Sequence, residues 1–308
     1  MSDHQHSVSQ AATLRVCRPW PGIMAFYDGR IPHKRLYGAQ DNWLDDGAFS
    51  LGTATYAIIA GHEAVVYDTH MTLDHAAAIR AILEEEGVTA IRVIMSHWHT
   101  DHVAGNAAFA DCEIIACDLT RQLLIEHREE LENGAPPITP LVLPTTTFTD
   151  SLDLTVGALS LELRQYDIHS ADGLVVRIPS LGLLLAGDTL EDTLTYVAEP
   201  GRLAIHLREL ARLGQWDFQR ILPNHGRLEM IAAGGYPRDL IAATQRYVEQ
   251  LLRLPAHPEL AALPLVEFAA ASLATGAVAW FEPYEAVHRH NIASVLKAAG
   301  ADCRPQPG

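Results

Sequence analysis

Short apolar runs with a two-residue period alternate along this chain with stretches of helical period. Two β-type runs, residues 56–60 and 64–68, flank Gly61-His62-Glu63 and predict a hairpin. Apolar residues at helical spacing, with an Asp at the start and a Gly at the end, predict a helix over residues 74–86. Residues 91–96 predict the next strand. This order predicts a βαβ unit, in which functional residues follow the carboxyl ends of strands.

The alternation of strands and helices continues through the middle of the chain. Helical patterns cover residues 106–109, 118–132 and 202–213, and strand-like runs cover residues 113–116, 152–156, 159–165, 174–178, 183–186 and 220–222. The order falls into two similar halves, each with strands and helices. We therefore predict an α/β fold with sheets inside and helices outside.

The two ends of the chain differ from this middle part. Residues 1–15 are largely polar and aperiodic, which predicts a disordered N-terminus. A catalytic domain is predicted over residues 16–254, followed by a helical extension over residues 255–308 with helices at 260–274 and 284–299. The extension has three open roles, a lid, a dimer surface or plain packing, and packing is favoured.

Composition and charge exclude several classes of function. The 308 residues carry a formal net charge of −16 without a Lys/Arg cluster, which argues against a nucleic-acid partner. No apolar run is long enough to span a membrane, and the first residues resemble no signal peptide, so we predict a cytoplasmic protein without a membrane partner. The four cysteines are irregularly spaced and are interpreted as reduced structural thiols.

The strongest chemical signal is the segment His97-Trp98-His99-Thr100-Asp101-His102, which follows the strand at residues 91–96. Imidazole and carboxylate groups are ligands of zinc, iron and manganese. In an extended segment His97 and His99 point to the same side and can bind one ion. Asp101 and His102 would project toward a second position. The segment predicts a metal site, with two adjacent ions as a hypothesis.

Further ligands are expected at the ends of other strands. His169, Asp188 and His225 each follow a strand-like apolar run, and Gly187 and Gly226 lie next to two of them. Each alone is more typical of a surface or capping residue. Together with the histidine cluster, they are candidates for the same centre.

This set of residues resembles the ligand motifs of the metallo-beta-lactamase superfamily in identity, order and approximate separation, from about residue 53 to about residue 236. The resemblance implies a four-layer αβ/βα sandwich. It also implies a first metal on His97, His99 and His169, a second on Asp101, His102 and His225, and Asp188 as a bridge. Asp68 matches an aspartate that supports the site without binding metal.

The implied ligand set predicts hydrolysis. Two metals about 3.5–4 Å apart can hold a bridging hydroxide that attacks a carbonyl carbon. We expect two divalent ions, zinc first with iron or manganese as alternatives, and a small-molecule ester, lactone or thioester as substrate. The predicted catalytic residues are Asp101, Asp188 and Tyr196, whose hydroxyl could donate a proton to an oxyanion or a leaving group. Oligomeric state stays open, with a homodimer as one option.

The substrate is less well defined than the mechanism. Ile168-His169-Ser170-Ala171-Asp172-Gly173 departs from the Gly-His-Thr-x-Gly-His motif of glyoxalase II enzymes and homoserine-lactone lactonases. Alternatives are a mononuclear iron enzyme resembling persulfide dioxygenases and a beta-lactam hydrolase, although zinc beta-lactamases with a Cys ligand carry it where Asp188 stands. A nuclease of the superfamily is disfavoured by the acidic charge.

Residues outside the ligand set receive weaker interpretations. Glu191 and Asp192 follow Asp188 closely and would disfavour an anionic substrate. Two tryptophans, Trp43 and Trp98, are candidate substrate contacts but more typical of packing. Structural roles are expected for the remaining histidines, including His70, His206, His288 and His290.

Overall fold

A computed structural model describes residues 9–302 of the chain, with side chains up to residue 300. The chain divides into two compact units, residues 1–147 and residues 148–308. Within the described residues each unit contains one mixed sheet and several helices. None of these helices combines the length and the apolar character needed to cross a membrane.

The sheet of the first unit has seven strands in the order of the chain. The first four strands pair antiparallel, and the fourth, fifth and sixth pair parallel. Gly22 and Gly61 form the tight turns of two hairpins and have φ angles of +75° and +62°, which glycine adopts without a steric penalty. The strands are β1 (Arg15–Trp20), β2 (Ile23–Asp28), β3 (Thr53–Ala60), β4 (Glu63–Tyr67), β5 (Ala90–Ile94), β6 (Glu113–Cys117) and β7 (Thr146–Phe148).

Helix α1 (Leu73–Glu85) connects β4 to β5 and makes their parallel pairing possible. Thr72 caps it by accepting a hydrogen bond from the backbone N–H of His75. Ala76, Ile79 and Leu83 recur at helical spacing and are buried in the core that also contains strand residues of this sheet. The predicted hairpin and βαβ unit are therefore confirmed.

Three further α-helices follow in the first unit, α2 (Thr100–Val103), α3 (Asp118–Glu126) and α4 (Arg128–Glu132). A π-helix covers Trp43–Phe49 and a 3-10 helix covers Asn106–Phe109. The single helix predicted over residues 118–132 is wrong in one respect, because it is interrupted at His127. The ring of His127 stacks on Trp98 with centroids 4.0 Å apart, a tertiary contact that the helical pattern does not encode.

The prediction of a disordered segment over residues 1–15 extends too far. Residues 1–8 lie outside the described part, whereas residues 10–13 form a turn and Arg15 begins β1. The Ser9 hydroxyl and the backbone N–H of Gln10 both donate to the Asp74 carboxylate at 2.9 Å. These bonds to α1 order a polar segment that lacks apolar periodicity of its own.

The second unit contains a six-stranded sheet in the order β13, β12, β11, β10, β9, β8. Strands β8 to β11 pair antiparallel with their chain neighbours, and β11 pairs parallel with β12. Consequently β9, β11 and β12 all run in the same direction. The strands are β8 (Ser151–Val156), β9 (Leu159–Gln165), β10 (Leu174–Ile178), β11 (Leu183–Gly187), β12 (Arg220–Pro223) and β13 (Tyr236–Pro237).

The helices of the second unit include the C-terminal extension. They are α5 (Leu203–Leu213), α6 (Leu228–Ala232), α7 (Asp239–Arg253), α8 (Leu265–Phe268), α9 (Ala270–Leu273) and α10 (Tyr284–Asp302), with 3-10 helices at Pro179–Leu181, Pro200–Arg202 and Pro258–Ala262. The helix predicted over residues 260–274 is divided at Pro264, because proline lacks the backbone N–H and disfavours a helical residue before it. Residues after 254 belong to the same compact unit as β8–β13.

Candidate metal centre

The histidine cluster of the first unit lies at the carboxyl edge of its sheet. Strand β5 ends at Ile94, and His97 and His99 follow in the connection to α2, which carries Asp101 and His102. Strand β4 runs parallel to β5 and ends at the same edge, just before Asp68. The parallel pairing therefore brings Asp68 to the cluster, although about thirty residues separate them in the chain.

His97 and His99 present ring nitrogens to each other. The Nε2 atom of His97 lies 3.0 Å from the Nδ1 atom of His99, and the two rings meet edge to face. On its other side, the Nδ1 atom of His97 lies 2.9 Å from the Ser96 hydroxyl. Ser96 thus fixes the orientation of the ring and directs Nε2 toward His99. These two nitrogens belong to the residues that the sequence analysis predicts to hold one ion.

His102 is held between two carboxylates. Its Nδ1 atom lies 2.9 Å from Asp68 Oδ2, and its Nε2 atom lies 3.5 Å from Asp101 Oδ1. Asp68 is fully buried and also accepts a hydrogen bond from the backbone N–H of Ser96 at 2.6 Å. With a proton on Nδ1, His102 donates to Asp68 and turns Nε2 toward Asp101. This contact is the one that the predicted supporting role of Asp68 requires, and that role stays a prediction.

The second unit brings together the other three predicted ligands. His169 follows β9, Asp188 follows β11 and His225 follows β12, strands that run in the same direction and end at one edge. Asp188 Oδ2 lies 3.6 Å from His169 Nε2 and 3.3 Å from His225 Nε2. All three residues are buried. A carboxylate oxygen and two imidazole nitrogens thus converge on one point.

These donor sets fit a divalent metal. Around an ion with tetrahedral bonds of 2.0–2.1 Å, neighbouring ligand atoms lie about 3.4 Å apart. The separations among the paired ligand atoms in each unit are 3.0–3.6 Å. Each donor is an imidazole nitrogen or a carboxylate oxygen, the chemistry that zinc, iron and manganese share. Chemistry and spacing agree with the predicted ligands within each unit.

The backbone at these positions is strained. Asp68, His70 and His169 have φ angles of +66°, +69° and +65°, a left-handed conformation that costs roughly 1–3 kcal/mol for residues other than glycine. Such residues persist only where surrounding contacts determine them, and they cluster at functional sites. The same three residues are buried. The fold therefore accepts local strain to orient side chains at both sheet edges.

Glu191 and Asp192 do not face a substrate as the sequence predicted. Both are 1% exposed. Asp192 accepts hydrogen bonds from Arg227 Nε at 2.6 Å, the Tyr236 hydroxyl at 2.8 Å and the backbone N–H of Ala279 at 2.9 Å. Buried and compensated in this way, its charge gives no argument against an anionic substrate.

Tyr196 lies near one of the ligands. Its ring centroid is 6.4 Å from that of His169, and its ring stacks on His290 at 4.6 Å. Burial raises the pKa of the Tyr196 hydroxyl above its ordinary value, so the hydroxyl is a neutral hydrogen-bond donor near one of the predicted ligands. The sequence predicted only a structural role for His290. No local sequence pattern indicates its contact with Tyr196.

The two tryptophans contact other parts of the protein. Trp43 donates its indole N–H to the carbonyl oxygen of Pro136 at 2.8 Å. Trp98 lies between two imidazoles, stacked on His127 and edge-on to His99 with centroids 5.0 Å apart. These contacts support packing, and in the case of Trp98 they also orient the ligand His99.

Buried histidines also lie outside the predicted ligand set. In the first unit, His70 stacks on His75 at 4.4 Å, and His75 Nε2 lies 3.1 Å from Asp28 Oδ2. Burial, reinforced by the charge of His75, places the pKa of His70 well below its ordinary value. His70 is therefore a neutral packing residue near the cluster, in agreement with its predicted structural role.

His206 belongs to an ion-pair network with Asp167 and Glu199. Its Nε2 atom lies 3.6 Å and 3.9 Å from their carboxylate oxygens, and Arg202 pairs with both carboxylates. Burial lowers the pKa of His206, but the two acidic partners outweigh this effect and raise it overall. Arg202 already supplies a positive charge, so these residues form a salt-bridge network rather than a metal site.

Comparisons with known proteins agree with this geometry. The family model described as the metallo-beta-lactamase superfamily matches residues 50–254. A "Beta-lactamase-like protein 2 homolog" of Drosophila melanogaster is 23% identical over 179 residues, which cover 58% of this chain and 59% of that protein. An "Atrochrysone carboxyl ACP thioesterase" of Passalora fulva is 40% identical over 57 residues, covering 18% of this chain and 17% of that protein. The matched segment thus spans about three fifths of the first relative.

Solved structures show the same fold. A metallo-beta-lactamase from Pontibacter korlensis has a TM-score of 0.60 at 17% identity and covers 77% of this chain and 99% of its own. One from Hirschia baltica has a TM-score of 0.56 at 19% identity, with 76% and 97% coverage. At such identities the likeness concerns the fold alone. It confirms the predicted αβ/βα sandwich.

Proposed function

The chain belongs to the metallo-beta-lactamase superfamily, and on this basis we propose that it hydrolyses a small-molecule ester, lactone or thioester with two bound metal ions. Its assignment as a hydrolase follows from the family. The observation that carries the proposal is the convergence of His169 Nε2 and His225 Nε2 on Asp188 Oδ2, at 3.6 Å and 3.3 Å. A thioester-cleaving relative, by its name, supports the substrate class.

We assign the ligands to two ions as the superfamily's motifs imply. His97, His99 and His169 would hold one ion, Asp101, His102 and His225 the other, and Asp188 would contact both. The support for this division is the order of the residues along the chain, together with the spacing of donor atoms within each unit. Zinc is the first expectation, and iron and manganese suit the same donors.

When bound, two such ions supply Lewis acidity toward a carbonyl oxygen and an activated water for attack on its carbon. The residues of this chain supply orientation and protons. Asp68 retains the Nδ1 proton of His102, and Ser96 orients His97 through its hydroxyl. Tyr196 would donate its phenolic proton to the leaving oxygen or sulfur, because its ring lies near that of His169, with centroids 6.4 Å apart.

The test combines metal analysis with a substrate panel. The purified protein is quantified for zinc, iron and manganese and assayed with chromogenic esters, lactones, thioesters and a beta-lactam. We expect two metals per chain and oxygen-independent cleavage of at least one ester, lactone or thioester. One iron per chain with oxygen uptake would instead indicate the persulfide-dioxygenase-like reaction, and cleavage of the beta-lactam alone would indicate a beta-lactamase.

The remaining expectations concern partners and location. The formal net charge of −16 supports a small-molecule substrate over a nucleic acid. A cytoplasmic location stays a prediction from the sequence, and fractionation of cells that express the protein would test it. Whether two copies associate is open to measurement by light scattering.

A further inference from the structure

Glu191 is a buried carboxylate close to a predicted metal ligand. It lies three residues after Asp188 in the connection that follows β11. Its side chain is 1% exposed, and its Oε1 atom lies 3.4 Å from His169 Nδ1. The backbone N–H of Tyr196 donates to the same oxygen at 3.1 Å. A carboxylate so deeply buried needs compensating partners, here a hydrogen bond from Tyr196 and the nearby imidazole of His169.

The two nitrogens of His169 face two different carboxylates. Nε2 lies 3.6 Å from Asp188 Oδ2, whereas Nδ1 lies 3.4 Å from Glu191 Oε1. A neutral imidazole carries one proton, so one nitrogen donates and the other is free to bind metal. Glu191 can only accept at Nδ1, which leaves Nε2 on the side of Asp188 and His225. Glu191 therefore faces the nitrogen of His169 that is turned away from Asp188 Oδ2.

Glu191 is held in turn by the C-terminal extension. Its Oε2 atom accepts a hydrogen bond from the hydroxyl of Tyr284, the first residue of α10, at 3.3 Å. Tyr284 is fully buried. The contact joins a helix outside the family-matched residues 50–254 to a carboxylate that faces His169.

The extension holds the same connection at further points. Asn291 of α10 accepts from the backbone N–H of Val197 and donates to the carbonyl oxygen of Thr195, both at 2.8 Å. The hydroxyl of Thr193 donates to the carbonyl oxygen of Ala279. Residues 191–197 thus lie against the extension along most of their length, so the extension positions this connection.

We propose that Glu191 is a positioning residue that fixes the Nδ1 proton of His169, and that Tyr284 of the C-terminal extension holds Glu191 in place. This inference rests on the proposed function, because it takes His169 as a metal ligand. The extension, whose role the sequence left open, is by this inference a structural support of the metal centre. A carboxylate behind a metal-binding histidine raises its basicity and fixes its tautomer.

The test uses Glu191→Gln and Tyr284→Phe in the full chain. We expect Glu191→Gln to weaken zinc binding about 10- to 100-fold, measured by competition with a chromogenic chelator, and Tyr284→Phe to weaken it by a smaller factor. Nitrogen-15 NMR of the metal-free protein reports the tautomer directly. In the wild type the proton should lie on Nδ1 of His169, and in Glu191→Gln both tautomers should be populated.

Matched controls separate positioning from general stability. Glu162→Gln removes a carboxylate that pairs with Arg177, and Tyr56→Phe removes a buried hydroxyl from β3 in the first unit. Both should lower the melting temperature without changing zinc affinity. If Glu191→Gln does not fold, Tyr284→Phe still tests the contact, because it keeps the ring and removes only the oxygen.

The possible outcomes distinguish this inference from the proposed function. A wild type that binds no metal and cleaves no member of the panel overturns the proposed function. A wild type that binds two metals, with zinc affinity and His169 tautomer unchanged in Glu191→Gln and Tyr284→Phe, overturns only the positioning role. Weaker zinc binding and a mixed tautomer in Glu191→Gln, with both controls unchanged, support it.

Discussion

The Nδ1 atom of His102 lies 2.9 Å from the Oδ2 atom of Asp68, and both side chains are fully buried. Asp68 also binds the backbone N–H of Ser96, the residue before the histidine cluster. One carboxylate at the end of β4 thus orients the proposed ligand His102 and fixes the backbone before the proposed ligands His97 and His99. A substitution of Asp68 can therefore change the geometry of the proposed ligands without removing any of them.

We expect Asp68→Asn to lower metal affinity about 10- to 100-fold, because a neutral amide accepts the Nδ1 proton of His102 less strongly than a carboxylate. Chelator competition on purified protein measures the effect. Asp74→Asn, at an exposed carboxylate of α1, serves as control and should bind metal like the wild type. Unchanged affinity in Asp68→Asn would show that the hydrogen bond plays no part in metal binding.

His102→Ala and Asp188→Ala should each reduce hydrolysis to background while the fold persists. Each substitution removes one proposed ligand, and the metal content measured by atomic emission should fall. Circular dichroism should stay close to that of the wild type, since helices and sheets are held by a separate apolar core. His257→Ala, at an exposed histidine, should behave like the wild type. Near-normal hydrolysis in either ligand variant would refute the two-metal mechanism.

Tyr196→Phe should lower kcat about 100-fold or more and leave KM nearly unchanged if the phenol donates a proton in the rate-limiting step. The ring remains, so the stacking on His290 is kept. Steady-state kinetics on the best substrate of the panel measure both constants. Tyr37→Phe, at a tyrosine that is 47% exposed, is the control. A change confined to KM would instead assign Tyr196 to substrate binding.

Gly105→Ala should destabilise the segment that carries the cluster. A Cβ atom at Gly105 would lie 2.1 Å from the carbonyl oxygen of Thr69 and 2.3 Å from the Cβ of Ala76, both far inside contact distance. We expect a loss of about 1–3 kcal/mol in the free energy of unfolding, measured in urea. Gly47→Ala meets no atom within 4 Å and serves as control. Equal stability of the two variants would contradict the close approach.

The ion pairs of His206 predict a pH dependence of stability. Its pKa is raised in the folded protein, so the folded state binds the proton more tightly than the unfolded state. This contribution is fully present below the unfolded value of about 6.5 and is lost as pH rises through the higher folded pKa. The difference in melting temperature between wild type and His206→Gln should therefore shrink from pH 5.5 to pH 9. A constant difference would show that His206 carries no charge in the folded state.

The sequence by itself determined the elements with strong local patterns and the identity of the proposed ligands. The β-type runs at residues 56–60 and 64–68 and the helical spacing over residues 74–86 reappear as β3, β4 and α1. These features could be predicted because burial on one face imposes a period on neighbouring residues. The ligands could be proposed because His97 to His102 are contiguous and the others follow strands.

Where the periodic pattern of apolar residues is weak or absent, the predicted secondary structure was incomplete or wrong. The apolar pattern does not predict strands β1 and β2, and it predicts disorder over residues 1–15. Hydrogen bonds to Asp74 and pairing with β2 nevertheless order residues 9, 10 and 15. The interruption at His127 coincides with the stack of its ring on Trp98, twenty-nine residues away. The division at Pro264 has a sequence signal in the proline itself, which the apolar spacing around it concealed.

Only the tertiary structure decided which atoms face one another at the site. Three contacts illustrate this, Asp68 with His102, Glu191 with His169, and Tyr284 with Glu191. They join residues that lie 34, 22 and 93 positions apart in the chain. Periodicity reports which face of an element is buried, but a hydrogen bond depends on where two distant strands or helices end. The sequence therefore determined which groups are available, and the fold decided which neighbour each histidine nitrogen faces.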